Sequence, residues 1–150
     1  MQTRQIHSIL VIDDDEDDFE LVSEAFGEID NNISVSYIQS CEDVKQYKGR
    51  NFDLVLLDIN MPRHDGFSWL KGIREKGFND LPVIMYTSSS NPDNIARAYH
   101  DGANLYFTKP ENFNNLVKGL KKIINMDWSN PYSITQLYNK NGKYTTFQIA

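Results

Sequence analysis

Five side chains stand where short apolar runs give way to polar sequence. Asp13 and Asp14 follow Ile9-Leu10-Val11-Ile12, and Asp58 follows Leu54-Val55-Leu56-Leu57. Thr87-Ser88-Ser89 come after Val83-Ile84-Met85-Tyr86, and Lys109-Pro110 close the stretch that contains Leu105-Tyr106-Phe107. Carboxylates brought close together raise one another's pKa unless a cation intervenes. Hard carboxylate oxygens, with water in the remaining octahedral positions, suit Mg2+. Three carboxylates, one divalent ion and the Lys109 ammonium sum to neutrality. Such a pocket can accept a phosphoryl group.

That chemistry requires elements that bring residues far apart in the chain to one place. Continuous apolar runs of this length predict strands buried on both faces, as in parallel sheets. Ile33-Ser34-Val35-Ser36-Tyr37 alternates instead, as an edge strand with one wetter face would. Between the runs, Phe19, Val22, Phe26 and Ile29 recur at helical spacing, as do Phe113, Leu116, Val117, Leu120 and Ile124. Further helices are predicted at about 41–48 before Gly49, about 66–76 before Gly77, and about 92–101 before Gly102.

Five β-α repeats over residues 6–126 predict a doubly wound α/β fold with helices on both faces of a five-stranded parallel sheet. With the second strand outermost, the order is the flavodoxin-like 2-1-3-4-5. The polar residues then fall on four adjacent strands, at the carboxyl ends where such sheets bind ligands. Residues 1–126 form the expected domain and 127–150 a short C-terminal extension. In that extension Asn130-Pro131 breaks the last helix, Asn141-Gly142 is a two-residue hairpin turn, and the aromatics Trp128, Tyr132, Tyr138, Tyr144 and Phe147 predict packing onto a surface.

Composition removes several classes. At 150 residues, 40% hydrophobic and 24% charged, the chain has the balance of a cored protein and the length of one domain. The net charge of −6 is local: seven of the eight residues 13–20 are acidic, and the remainder carries 15 basic against 14 acidic side chains. Asp15 to Asp18 are explained as the cap and first turn of a helix, where acidic groups meet free N–H groups. With no basic stripe, nucleic acid is not an expected partner. No apolar run reaches bilayer-spanning length, the first residues lack a signal-peptide core, and the single Cys41 suits a reducing cytoplasm. His7, His64 and His100 are scattered and match no metal spacing.

The combination resembles the receiver domains of two-component response regulators. It is carried by Asp13-Asp14, by Asp58 within Leu57-Asp58-Ile59-Asn60-Met61-Pro62, by Thr87, and by Gly102-Ala103 leading to Tyr106 and Lys109-Pro110. The intervals of 44, 29 and 22 residues from Asp14 through Asp58 and Thr87 to Lys109 are of the usual family size. Thr87-Ser88-Ser89, Gly102-Ala103-Asn104 and Asp127-Trp128 are further similar to the stand-alone receivers that partner cyanobacterial phytochromes.

The resemblance implies a signalling protein, not a metabolic enzyme, whose Asp58 accepts a phosphoryl group from a sensor histidine kinase or phosphotransfer protein. Mg2+ would be bound by Asp14, by Asp13 through water, by Asp58, and by the backbone carbonyl of Asn60. Lys109 and Thr87 would contact phosphoryl oxygens, Tyr106 would be the aromatic switch, and the Lys109-Pro110 bond is a candidate cis peptide. Ser88 stands where the family often has alanine, so Ser88 and Ser89 would modulate the lifetime of the phosphorylated state. A downstream protein is the expected target. A homodimer, through the face formed by the fourth helix, fifth strand and fifth helix or through the aromatic tail, is a further hypothesis.

Two alternatives stay open. Asp13-x-Asp15 also resembles the aspartate-nucleophile hydrolases of the haloacid dehalogenase type, although Asp17 stands where their motif wants Thr or Val. The other is a receiver-like interaction module that is never phosphorylated.

Overall fold

The computed structural model describes residues 5–39, 52–61 and 65–149. The helix expected at 41–48, together with Cys41 and His64, lies outside the described residues. Strands β1 (Ser8–Ile12), β2 (Ser34–Ile38), β3 (Leu54–Leu57), β4 (Val83–Thr87) and β5 (Leu105–Thr108) form one parallel sheet in the order β2-β1-β3-β4-β5. The expected flavodoxin-like order is therefore present, with the alternating β2 at one edge. Helices α1 (Glu16–Ile29), α2 (Gly66–Glu75), α3 (Pro92–His100) and α4 (Phe113–Ile124) cover the two faces.

Successive residues of a strand point to opposite faces, so a strand covered on both sides must be apolar throughout. In β1, Ile9 and Val11 join the layer that contains Val22 and Phe26 of α1 and Leu116 and Leu120 of α4. Leu10 and Ile12 join the opposite layer, with Phe67 and Leu70 of α2 and Ala98 and Tyr99 of α3. Each fully buried aliphatic side chain contributes about 1.5–3 kcal/mol relative to exposure, which fixes the register of the sheet. Side chains of Asp15, Asp65, Asn91 and Asn112 cap α1 to α4 by accepting backbone N–H bonds. Gly77 and Gly102 follow α2 and α3 with φ of 96° and 112°, a left-handed conformation that terminates a helix.

The residues beyond α4 fold back on the same chain. Trp128 is fully buried, and its indole N–H donates to the Ile123 carbonyl at 2.8 Å. Pro131 ends nothing: it opens a further short helix, α5 (Pro131–Leu137). The missing N–H of proline costs nothing in the first turn, so a residue expected only to break a helix starts one. Strands β6 (Asn139–Lys140) and β7 (Lys143–Tyr144) then form the expected antiparallel hairpin. Asn141 and Gly142 at its turn take φ of 56° and 78°, the positive pair that a type I′ turn demands.

The final residues run beside β5, the other edge strand. The Phe147 N–H donates to the Tyr106 carbonyl at 2.8 Å, and the Phe147 ring meets Phe107 edge-on at 5.4 Å. Tyr144 stacks on Tyr99 of α3 at 4.6 Å, and the Tyr99 hydroxyl donates to the Thr145 carbonyl at 2.8 Å. The Lys122 ammonium of α4 donates to the Ile149 carbonyl. The aromatic tail thus packs on its own domain. Among the described residues, no helix is long and apolar enough to cross a membrane.

Candidate functional site

Parallel pairing puts the carboxyl ends of all five strands on one side of the sheet, and backbone bonds there align the polar residues. The Asp58 N–H donates to the Ile12 carbonyl at 2.9 Å, which sets Asp58 beside Asp13. Asp13 donates in turn to the Ile38 carbonyl, and Lys109 to the Thr87 carbonyl at 2.8 Å. Helix α2 begins very close beneath Asp58. A Cβ on Gly66 would lie 2.3 Å from the Asp58 carbonyl oxygen, so only glycine admits this approach.

Three carboxylates converge on the Lys109 ammonium. Its Nζ lies 2.9 Å from Asp13 Oδ2, 2.7 Å from Asp18 Oδ2 and 3.4 Å from Asp58 Oδ2. The Tyr86 ring sits 5.4 Å from the same nitrogen, giving a cation–π contact. Burial works against the Lys109 charge, yet its hydrogen bonds to Asp18 and Asp13 outweigh that and hold it above the usual lysine range. Of these three carboxylates Asp13 is the most deeply buried. Its burial pushes its pKa up to about 7, although the Asp15 N–H and the Lys109 ammonium pull it down; the Asp58 charge adds to the rise.

A divalent cation fits the donor set. Asp13, Asp14 and Asp58 each offer a carboxylate oxygen, and these oxygens all lie within 4.8 Å of one another. Asp13 and Asp58 are buried while Asp14 faces solvent, so a hydrated ion can enter from the Asp14 side. All three donors are hard oxygens, as Mg2+ prefers. Asn60 lies in the exposed turn after Asp58, its N–H directed to Asp58 Oδ1 at 3.3 Å.

One strand over from Asp58, Thr87 is completely buried, and its hydroxyl has no hydrogen-bond partner. A buried donor without an acceptor carries a desolvation cost of about 1–3 kcal/mol. Tyr106 on β5 is also fully buried, with its hydroxyl donating to the Ser89 carbonyl at 2.7 Å. Its backbone N–H donates to the Tyr99 hydroxyl at 3.1 Å, and its carbonyl holds Phe147. Ser89 Oγ accepts from the Asn94 side chain of α3 at 2.9 Å, while Ser88 is exposed.

Asp13, Asp14, Asp58 and Lys109 are brought together, with one addition and one correction. Asp15 does cap α1, accepting from the Asp17 N–H. Asp18, expected only to serve the same helix start, instead makes the shortest ion pair to Lys109. Side chains in a helix tilt toward its N-terminus, so a residue in the first turn of α1 reaches back over the strand end. The expectation of a cis bond at Lys109-Pro110 is overturned: no cis peptide occurs among the described residues. Trans is the lower-energy isomer of an X-Pro bond, and the Lys109 contacts are met with it. Tyr99, which clips the tail to β5, was not singled out by its position in a helical pattern.

Comparison with known proteins agrees with this geometry. Residues 9–121 match the response regulator receiver domain family. The GraR response regulator of Staphylococcus saprophyticus is 33% identical over 116 residues, covering 77% of this chain and 50% of that protein. The chain therefore spans about half the length of the curated relatives it matches. Among solved structures, the phosphorylated cyanobacterial phytochrome response regulator RcpA superposes with a TM-score of 0.74 at 26% identity, over 84% of this chain and 96% of that one. The Mn2+-bound form of the response regulator Rcp1 does so at 0.67 and 26% identity, over 83% and 96%. A family match across most of the chain, joined to the same sheet order and an acidic pocket at its carboxyl edge, makes this protein a member of the response regulator receiver domains.

Proposed function

We propose that the protein is a response regulator receiver that accepts a phosphoryl group on Asp58 from a histidine kinase or phosphotransfer protein, in a Mg2+-dependent reaction. Residues 1–126 act as the receiver and 127–150 as an extension that rests on it. The observation that carries this reading is Thr87: a fully buried hydroxyl donor without an acceptor, at the end of the strand next to the one that presents Asp58, a carboxylate already facing an ammonium. A phosphoryl oxygen on Asp58 would accept from it.

In this reading the Asp58 carboxylate attacks the phosphorus of a phosphohistidine, the P–N bond breaks, and an acyl phosphate remains on Asp58. Transfer of this kind depends on in-line positioning and on neutralising the charge of the transferred group. Lys109 supplies one positive charge, already directed at Asp58. Asp13, Asp14, Asp58 and the Asn60 carbonyl would hold Mg2+, which when bound offsets further negative charge on the phosphoryl oxygens. Thr87 would move toward a phosphoryl oxygen, and Ser88 and Ser89 would influence how water reaches the acyl phosphate. A shift of Thr87 and Ser89 bears on Tyr106, because the Ser89 carbonyl receives its hydroxyl. The surface so altered carries the chain's own tail, held by the Tyr106 backbone. A homodimer through α3, β5 and α4, or binding of a downstream target there, would have to accommodate or displace that tail.

The hydrolase alternative requires Asp13 as nucleophile, but its side chain is 1% exposed and its oxygens accept from Asp15 and Lys109 at 2.9 Å each, tighter than the 3.3 and 3.4 Å contacts of Asp58. Incubation with acetyl phosphate and Mg2+, followed by peptide mapping, separates the readings. One phosphoryl group on Asp58, absent from Asp58→Asn, is expected. Label on Asp13 with sustained turnover of phosphate monoesters would establish the hydrolase. Failure of every phosphodonor to label the chain would favour an unphosphorylated interaction module.

A further inference from the structure

The shortest ion pair of Lys109 is with Asp18, at 2.7 Å, rather than with Asp58, at 3.4 Å. An ammonium has three donors, and here each has a carboxylate: Asp13, Asp18 and Asp58. The Asp58 contact is the longest of the three, so to close on a phosphoryl oxygen there Lys109 must move toward Asp58 and loosen its hold on Asp13 or Asp18. Asp13 is poorly placed to yield, since its side chain is 1% exposed and its other oxygen is fixed by the Asp15 N–H. Asp18 is 28% exposed, on the rim where α1 starts, and can turn to water at little cost.

We propose that Asp18 is a positioning residue that holds Lys109 in a resting seat on the α1 side and is exchanged for a phosphoryl oxygen when Asp58 is modified. The proposal rests on Asp58 being the phosphoacceptor. Asp18 also adds a negative charge to a pocket that must admit an anion, so it opposes phosphorylation twice, by occupying Lys109 and by repulsion. Receivers lacking an acid in this place would leave their lysine free of that competition.

The test compares wild type with Asp18→Asn, Asp18→Glu and Asp17→Asn. Asp17 is exposed on the same turn, so Asp17→Asn makes the same change in net charge without touching Lys109. Beryllofluoride affinity in Mg2+ buffer is read from NMR titration, and acetyl phosphate labelling of Asp58 gives kcat and KM. Asp18→Asn is expected to tighten beryllofluoride binding and lower KM on the order of fivefold, with kcat little changed. Asp18→Glu and Asp17→Asn should stay near wild type. Equal effects of Asp17→Asn and Asp18→Asn would reduce the role to general charge and overturn the proposal, as would no effect of Asp18→Asn. If no variant is labelled on Asp58 and wild type is not either, the phosphoacceptor reading itself fails.

Discussion

Thr87 bears a cost to stability that no contact of its own hydroxyl repays. Its hydroxyl is buried without a partner, whereas a valine of the same shape would bury a methyl group. Thr87→Val is expected to raise resistance to urea by about 1 kcal/mol, since an unsatisfied buried polar group disappears. The same variant is expected to bind beryllofluoride about tenfold more weakly, the share of one hydrogen bond to a charged group. Urea melts and beryllofluoride titrations of one preparation check both signs together. The strand-end residues Asp13, Asp14, Asp58, Thr87 and Lys109 were legible in sequence because polar groups closing buried strands have no structural excuse. Asp18 was not, because the helix start offered a sufficient reason for every acid in that run. Only the backward tilt of side chains on α1 separates the cap, Asp15, from the ion-pair partner, Asp18.

At the scale of elements, the site depends on how closely α2 starts beneath β3. Gly66 is the contact, and an added methyl would meet the Asp58 backbone itself rather than the end of a flexible side chain. Gly66→Ala is expected to destabilise the fold by about 2 kcal/mol, as overpacking does, and to slow Asp58 labelling by displacing the acceptor strand. Thermal melts and acetyl phosphate rates measure the two effects, and an alanine variant of wild-type stability would refute the tight approach. Strands β1 and β3 were readable because burial on both faces leaves uninterrupted Leu, Val and Ile. Helix α5 was not, because seven residues give too few turns for a hydrophobic period, and Pro131 is equally at home after one helix or at the head of the next.

Across the whole molecule, the tail closes an edge that an open sheet would otherwise expose. Edge strands with free N–H and C=O groups invite pairing with other chains. Removing residues 143–150 is expected to cost about 2 kcal/mol, chiefly the burial of Phe147, and to increase self-association. Thermal melts and light scattering read these outcomes; unchanged stability would mean that the tail is not held as described. The aromatic density after Asp127 announced that this segment packs somewhere, but its seat on Tyr106 and Tyr99 depends on contacts that span 41 and 46 residues and that no local pattern encodes. That seat also makes the tail a reporter for the proposed phosphorylation site. The most direct measurement is an NMR titration of the full chain with beryllofluoride and Mg2+. Changes are expected at Asp58, Thr87 and Lys109 and along β5 to Phe147, all of them lost in Asp58→Asn. Perturbations centred on Asp13, or persisting in Asp58→Asn, would contradict Asp58 as the phosphoacceptor.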